Sequence, residues 1–350
     1  MKLATSLKRF GTIAETSRHA SDLESAGIDL LWIPESYGFE AFSQIGFLAA
    51  STKEMMLGTG IVNVYSRSPG LMAMSAVSCD YLSQGRFLLG LGASGPQVIE
   101  GFHGIPYDQP LQRVRDYIEC CRKVWQGQPL THSGSAVTVP LPADQGLGLG
   151  KPLRIFETPV RNSIPIWWAS IKSRSVAATA ELADGWLPAM FVPEMCEKVW
   201  GAALREGTAK RPAELAPLEI SAGGVLAIGE EFVGESQKAV LDELRPHMAL
   251  YVGGMGALGK NFYNDICREY GYEQEAIAIQ DLFLAGKRNE AAASVPAEWL
   301  ELSNVVGPRG RVAERVAAYR EAGVTVLAVD PVGPDPVNQI GALREILESG

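Results

Sequence analysis

The sequence has few of the residues that metal centres and disulfide scaffolds require. It contains 4 histidines in 350 residues, none of them in an HxH or HExxH spacing, and its 5 cysteines form no CxxC pair. These spacings are the usual signatures of zinc hydrolases and redox motifs, and disulfide scaffolds are typical of much shorter secreted chains. We therefore expect no metal site, and we expect the cysteines to be buried thiols.

Long apolar runs and positive charge are also scarce. No window approaches the ~18 apolar residues of a membrane span, and the start MKLATSLKRF lacks the apolar stretch of a signal peptide. Acidic residues outnumber Lys and Arg by 40 to 31, giving a net charge of −9. This balance disfavours nucleic acids and anionic membranes as partners. We expect a cytoplasmic protein that acts on a small molecule.

Common nucleotide and hydrolase motifs are missing as well. No Walker A, GxSxG or kinase pattern occurs, which disfavours phosphoryl transfer and serine hydrolysis. The run GLGASG at 90–95 has the outline of a dinucleotide fingerprint. It lies at the end of the fourth predicted strand rather than the first, and the acidic residue that the fingerprint needs does not follow it.

What the chain does have is a regular alternation of short β-rich apolar runs and amphipathic helical patterns, which is typical of parallel βαβ units. The predicted strands are 2–7, 29–34, 56–64, 86–92, 164–170, 184–188, 217–228 and 324–329. Helices are predicted at 13–26, 42–52, 70–82, 109–125, 173–183, 193–205, 235–250 and 311–322.

Eight such units favour an α/β fold, a closed (β/α)8 barrel, with an open doubly wound sheet as the alternative. The alternation fails at 127–162, which is rich in Pro and Gly, and at 251–306, which is largely helical. We interpret residues 1–350 as one barrel domain with these two segments as insertions near its mouth.

Residues that follow the strands of a barrel line its active face. The first six strand ends carry one carboxylate, Glu35, and no pair of acids such as a glycosidase needs. His103, after the fourth strand, is the histidine best placed to face a pocket. A glycine-rich pocket that is poor in acids and bases suits an enzyme whose cofactor carries the chemistry.

Four segments carry a resemblance to a known family: LGTGIVNVYSRSP (57–69), LSQGRFLLGLGASGPQVIEGFHG (82–104), ELADGWLP (181–188) and VGPRGRVAERVAAYREAGVT (306–325). In this order they resemble the bacterial luciferase-like oxidoreductases, and more closely the branch that uses coenzyme F420, a 5-deazaflavin. The resemblance implies a (β/α)8 barrel with insertions, a homodimer, and a non-prolyl cis peptide in a bulge of the third strand. That bulge corresponds to Gly60-Ile61-Val62.

Departures from the family pattern bear on the cofactor. Ser36 stands where the resemblance implies a histidine in luciferases, and Ala93 stands where it implies the arginine that binds the FMN phosphate. Pro96 replaces the glutamate of the sugar-phosphate dehydrogenases of the F420 branch. These differences favour F420, with FMN as the alternative cofactor, and leave the substrate open.

The resemblance also implies roles for particular residues. Gly60 and Ile61 of the bulge, with Asn63 just beyond it, would lie against the ring, and residues at or after the ends of the fourth and fifth strands would hold the ribityl, phosphate and acidic tail. The latter set is Ser94, Gly95, Gln97, Ala169, Ser170, Lys172 and Arg174. Glu35, Tyr65 and His103 are the predicted catalytic residues, as ring contact, proton relay or proton donor.

The predicted function is F420-dependent hydride transfer, most often reduction, between the deazaflavin C5 and a small substrate. Its activated bond is C=C, C=N or C=O, as in some natural-product intermediates. Two alternatives remain at this stage: an FMN-dependent monooxygenase, and a ligand-binding barrel without catalysis.

Overall fold

A computed structural model describes residues 1–8, 11–256, 259–333 and 335–349. Its centre is a closed ring of eight parallel strands, in which the last strand pairs with the first and Leu3 lies opposite Leu327. This confirms the predicted (β/α)8 barrel, and each predicted strand contains the observed one. The strands are β1 Lys2–Ser6, β2 Leu30–Ile33, β3 Met56–Thr59, β4 Phe87–Gly92, β5 Ile166–Ala169, β6 Gly185–Leu187, β7 Glu219–Ala222 and β8 Val326–Ala328.

Helices surround the ring and cover the outer face of the strands. The first begins with a capping box, in which Thr12 and Glu15 satisfy each other's backbone amides. No helix in the described ranges is long and apolar enough to cross a membrane. The α-helices are Ile13–Ser25, Ala41–Ala49, Pro69–Leu82, Pro96–Gly101, Pro110–Trp125, Ser173–Leu182, Cys196–Lys210, Glu235–Asp242, Arg245–Gly254, Phe262–Glu269, Glu273–Leu284, Arg288–Ala293, Ala297–Leu302, Arg309–Glu321 and Pro336–Ser349, with 3-10 turns at Ala143–Gln145 and Pro193–Met195.

Two tryptophans fill the lower half of the barrel. The rings of Trp32 on β2 and Trp167 on β5 meet edge to face with centroids 5.3 Å apart. Glycines on neighbouring strands make room for them, because a Cβ at Gly58 would lie 2.3 Å from the Trp32 ring and one at Gly185 would lie 2.1 Å from Trp167. This layer forms the floor on which the upper half of the barrel opens.

The chain after β7 leaves the barrel instead of continuing as one strand. A Cβ at Gly223 would lie 2.0 Å from the Ala328 oxygen, and one at Gly224 would lie 2.3 Å from the Ser303 oxygen, so both positions need glycine. The next strand, Val225–Ile228, pairs with Val305–Gly307 and with Asp330–Pro331 in a separate three-stranded sheet. The sheet therefore carries Asp330 to the rim of the barrel.

Some predicted boundaries are wrong for identifiable reasons. The predicted helix 235–250 is two helices, and the second begins at Arg245 with Pro246 in its first turn, where proline's missing N–H costs nothing. The predicted strand 217–228 is divided at the Gly223–Gly224 pair. Helices Pro96–Gly101, Ala297–Leu302 and Pro336–Ser349, and strand Val305–Gly307, were not predicted.

The segment 127–162 contains a small hairpin, His132–Ser133 paired with Thr138–Val139. Asp116, 1% exposed on helix Pro110–Trp125, anchors it by accepting hydrogen bonds from the amides of Ala136 and Val137 at 3.1 and 2.9 Å. A buried carboxylate satisfied by backbone amides fixes the hairpin against the outside of the barrel.

Candidate functional site

A cavity of about 1300 Å³ opens at the carboxyl ends of the barrel strands. Residues from the ends of all eight strands line it, from Ser6 at the end of β1 to Ala328 at the end of β8. The segment 251–306 contributes Tyr251, Lys260 and Tyr263 to one wall. In the described part of the chain, no residue of 127–162 lines it.

The wall between β3 and β4 is a bulge, as the resemblance implied. β3 stops at Thr59, a cis peptide joins Gly60 to Ile61, and pairing with β4 resumes at Val62–Asn63. The Thr59 hydroxyl donates to the Gly90 carbonyl at 2.6 Å and accepts from the Gly90 amide at 2.8 Å, which replaces the interrupted ladder. A Cβ at Gly90 would lie 1.8 Å from the backbone carbonyl oxygen of Thr59, so the bulge requires glycine there.

The ten residues predicted to bind the cofactor all line this one cavity. They are Gly60, Ile61, Asn63, Ser94, Gly95, Gln97, Ala169, Ser170, Lys172 and Arg174. Beside them, Gly92 and Ala93 also line the cavity, and the Ile61 side chain packs against Gly92, where a Cβ would lie 3.1 Å from Ile61 Cδ1. Asn63 is held in place because its Oδ1 accepts from the amides of Tyr65 and Ser66 at 3.0 and 2.7 Å.

The two predicted cations differ in their surroundings. Lys172 donates to Asp265 at 2.8 Å and lies over the ring of Phe262 at 4.7 Å, so it connects the end of β5 to helix Phe262–Glu269. Arg174 is exposed in the first turn of helix Ser173–Leu182. With Lys260, they give the described lining three cations.

Glu35 lies in an ion pair beside the cavity. Its carboxylate accepts from both terminal nitrogens of Arg67, at 2.9 and 2.7 Å, and from the Ala41 amide at 3.1 Å. The side chain is 9% exposed and does not belong to the described lining. With its oxygens occupied by these donors, Glu35 connects the loop after β2 to the start of helix Ala41–Ala49.

Tyr65 and His103 also lie outside the described lining. The Tyr65 hydroxyl donates to the Asp108 carbonyl at 2.7 Å, and burial raises the pKa of Tyr65 to about 12. His103 Nε2 lies 3.3 Å from Asn63 Nδ2. The structure thus brings the predicted cofactor set together at the cavity and leaves the three predicted catalytic residues behind its wall; their role stays a prediction.

Asp330 was missed at the sequence level. Among the described residues that line the cavity it is the sole carboxylate, and no histidine or cysteine lies among them. Glu35 is therefore not the only carboxylate at a strand end, because the predicted eighth strand, 324–329, stops directly before Asp330. That adjacency was the available signal.

The Asp330 carboxyl group has an unusual electrostatic setting. Burial raises its pKa above the ordinary value, while the charge of Lys8, a hydrogen bond from the Ser6 amide and the charge of His247 lower it. Lys8 is fixed nearby, since its Nζ donates to the Pro331 carbonyl at 2.8 Å. The net upward shift makes a protonated carboxyl easier to maintain.

Aromatic side chains form the upper part of the cavity. Tyr107 stacks on Tyr65, 5.4 Å between centroids, and donates from its hydroxyl to the Ser94 carbonyl at 3.1 Å. Across the mouth, the rings of Tyr251 and Tyr263 meet edge to face at 4.7 Å. Apolar walls with a few fixed polar groups are typical of small-molecule sites.

Backbone strain concentrates at the same rim. Ser36, Ser94 and Gln109 line the cavity with φ angles of 48°, 57° and 43°, in the left-handed region that non-glycine residues avoid. Such conformations cost about 1–3 kcal/mol each and cluster at ligand sites. This agrees with a binding role for the cavity.

The closed barrel and the cavity at its carboxyl-terminal mouth define a (β/α)8 protein whose candidate ligand site lies at that mouth. Residues 2–326 match the model of the luciferase-like monooxygenase family, and the chain belongs to this family. A putative coenzyme F420-dependent oxidoreductase of Mycobacterium tuberculosis is 34% identical over 348 residues, which cover 98% of this chain and 99% of that protein.

Solved structures share the fold. The coenzyme F420-dependent tetrahydromethanopterin reductase of Methanopyrus kandleri superposes with a TM-score of 0.78 at 19% identity, covering 99% of both chains. A riboflavin lyase with modified FMN and its substrate riboflavin superposes with a TM-score of 0.73 at 15% identity, covering 100% of this chain and 91% of that one. At these identities the likeness concerns the fold.

Proposed function

We propose that the protein is an F420-dependent oxidoreductase that transfers hydride between the deazaflavin C5 and a small organic substrate with an activated C=O, C=N or C=C bond. The observation that carries this proposal is that all ten predicted cofactor residues line a single cavity. The 34% identical F420-dependent relative, which matches the chain almost from end to end, supports the choice of cofactor.

The cavity fits an elongated, anionic, partly planar group. A volume of about 1300 Å³ exceeds the roughly 300–1,000 Å³ of ordinary ligand pockets, so there is room for a cofactor and a substrate. Gly60, Gly92 and Ala93, with the Ile61 side chain packed against Gly92, form a small-residue, apolar wall that suits one face of a ring. Lys172, Arg174 and Lys260 give the mouth positive charge that suits a phosphate and a carboxylate tail.

The residues of the chain would bind, orient and enclose. The bulge fixes the height of the ring, and Gly95 and Gln97 offer amide and side-chain donors at the start of helix Pro96–Gly101. Tyr107, Tyr251 and Tyr263 would exclude water above the substrate. When bound, the deazaflavin supplies a hydride acceptor and donor at C5, and the protein positions the substrate against it.

Quenching of F420 fluorescence by the purified protein tests the cofactor. We expect saturable binding of F420 and no comparable binding of FMN. Replacing Arg174 by Ala should weaken F420 binding about tenfold, since it removes a cation facing an anionic tail. The matched control Lys198→Ala removes an exposed cation from helix Cys196–Lys210 and should leave binding unchanged. Tight FMN binding without F420 binding would overturn the proposal in favour of a flavin monooxygenase.

A second candidate, a ligand-binding barrel without catalysis, is favoured by one observation. Glu35, Tyr65 and His103, the predicted catalytic residues, lie behind the cavity wall. This candidate predicts F420 binding without turnover of any substrate. Turnover with reduced F420 separates the two candidates.

The assembly and the cellular location extend the same proposal. We propose a homodimer, as the family resemblance implies, that works in the cytoplasm on a small-molecule substrate.

A further inference from the structure

We propose that Asp330 is the acid–base residue of this site, the group that gives a proton to the substrate on reduction and takes it back on dehydrogenation. The inference rests on the proposed function, which leaves open where the proton comes from. Hydride addition to a polar double bond leaves a negative atom that must be protonated. The described lining offers one carboxylic acid for this purpose, Asp330.

The fold holds Asp330 at the side of the cavity away from the predicted cofactor residues. Those residues follow β3, β4 and β5, whereas Asp330 follows β8 and lies near Ser6 and Gly224 in the lining. Its backbone is fixed because its amide donates to the Gly224 carbonyl at 3.0 Å within the three-stranded sheet. A substrate between the ring and this wall would have hydride on one side and Asp330 on the other.

The surroundings of Asp330 suit proton exchange. The Ser6 amide hydrogen-bonds its carboxylate, and the charges of Lys8 and His247 act on it from β1's end and from helix Arg245–Gly254. The pKa of His247 is lowered by burial, and the charge of Asp330 partly offsets this shift. The protonation states of the two groups therefore influence each other. A general acid works best when its pKa is shifted toward the working pH, and burial shifts Asp330 in that direction.

The chemical step balances without a further reactant. In reduction, two electrons and one hydrogen pass as hydride from the reduced cofactor to the carbon of the substrate's double bond. The O–H bond of Asp330 breaks, and its proton goes to the atom at the other end of that bond. The cofactor is left oxidised and releases its remaining ring N–H proton to water, while the Asp330 carboxylate takes up one proton from water, so protons and charge balance. Dehydrogenation runs these transfers backwards, with the carboxylate as base.

The test compares Asp330→Asn with wild type, using Asp281→Asn as the control. Asp281 is exposed on helix Glu273–Leu284, outside the described lining. F420 quenching is measured first, and we expect D330N to bind F420 within about twofold of wild type. Oxidation of reduced F420 is then followed by the return of its visible absorbance, with cyclohexanone, cyclohex-2-enone and 2-methyl-1-pyrroline as probes of the three bond types.

For a probe that wild type reduces, kcat/KM should fall by about 10²–10⁴-fold in D330N. In wild type, kcat/KM should fall as the pH rises through the Asp330 pKa, because the protonated form is the donor. D330N should lose that inflection, and D281N should keep it. A D330N rate within threefold of wild type, or an unchanged pH profile, would overturn the proposal. If Glu35→Gln removes the inflection instead, the relay belongs to Glu35.

A second readout needs neither turnover nor F420. Carbon-13 NMR of Asp-labelled protein, assigned by the signal missing in D330N, follows the Asp330 carboxyl directly. We expect it to titrate above the ordinary aspartate range and to shift when cyclohexanone is added. If wild type reduces no probe, this measurement decides the question. A carboxyl signal of Asp330 that does not shift when cyclohexanone is added would then overturn the proposal. If F420 fails to bind while the ketone still shifts Asp330, the cofactor assignment has failed and the proton-donor site has not.

Discussion

At the scale of the residue, the bulge depends on Gly90 having no side chain. A Cβ at Gly90 would lie 1.8 Å from the Thr59 oxygen, which is backbone and cannot swing away. We expect Gly90→Ala to lower the free energy of unfolding by about 3 kcal/mol, since overpacking of a buried site forces the backbone to move. Urea denaturation measures this.

Gly310→Ala is the matched control for that change. A Cβ at Gly310 would meet nothing within 4 Å, and the residue lies in helix Arg309–Glu321. Alanine there should be neutral or stabilise by up to about 1 kcal/mol. A G90A protein as stable as wild type would show that the strand can shift away from Thr59.

Asp330 should impose a stability cost that depends on pH. Because burial raises its pKa, the folded protein binds this proton more tightly than the unfolded chain does, and stability from this group is lost as the pH rises through the folded pKa. We expect Asp330→Asn to raise the melting temperature at pH 8 more than at pH 4. Equal effects at both pH values would contradict the desolvation of Asp330, and Asp281→Asn supplies the exposed comparison.

The sequence predicted the residues of this site unevenly. Gly60 and Ile61 of the bulge and the small residues at the ends of β4 and β5 are readable because they form contiguous motifs, and they line the cavity. Glu35 stood at a strand end as expected, but its partner Arg67 comes from another loop, so its ion pair was not visible in a linear pattern. Asp330 was adjacent to a predicted strand and was overlooked.

At the scale of the element, one salt bridge joins the barrel to the helices of segment 251–306. Lys172 after β5 donates to Asp265 on helix Phe262–Glu269, and both side chains are about half exposed. An anionic cofactor would compete with Asp265 for Lys172. We expect Asp265→Asn to tighten F420 binding by up to about fivefold, since exposed ion pairs contribute up to ~1 kcal/mol.

Glu290→Gln provides the comparison for D265N, because it removes the exposed carboxylate that pairs with Lys287 at 3.5 Å. Fluorescence titration should find that Glu290→Gln binds F420 with the affinity of wild type. Lys172→Ala should weaken F420 binding, and the pair of changes Lys172→Ala and Asp265→Asn should show no gain over Lys172→Ala alone. Tighter binding by D265N in the absence of Lys172 would refute the competition.

Elements with strong local periodicity were predictable, and those set by distant contacts were not. All eight barrel strands follow from apolar runs that are buried on both faces. The strand Val305–Gly307 exists because it pairs with Val225–Ile228, about 80 residues earlier in the chain, and no local pattern marks it. The split near Pro246 shows that one proline outweighs a continuous amphipathic pattern.

At the scale of the whole molecule, an apolar stripe on two neighbouring helices suits self-association. Leu71, Met74 and Tyr81 are 48%, 53% and 69% exposed on one face of helix Pro69–Leu82, and Phe47 is 46% exposed on helix Ala41–Ala49. The two helices touch where Leu82 lies against Gly46. A stripe of this kind can pair with its own copy about a twofold axis.

We expect the pair of changes Met74→Glu and Tyr81→Glu to convert a dimer into a monomer, because the buried charges would repel and remain unpaired. Sedimentation velocity measures the change. Leu284→Glu, at a residue 57% exposed on helix Glu273–Leu284, should leave the assembly intact. A wild-type monomer at micromolar concentration, or a double variant that stays dimeric, would exclude this surface.

The buried cysteines have a practical consequence for studying motion at the mouth. All five are buried, and burial raises the pKa of Cys79, Cys120 and Cys267 to about 12 and of Cys196 to about 11. Burial also raises the pKa of Cys121. Thiolate-directed reagents should therefore not react with the native protein. A single cysteine placed on segment 251–306 could carry a spin label or a dye without removal of any natural one, so distances across the mouth could be measured with and without F420 in an otherwise unaltered chain.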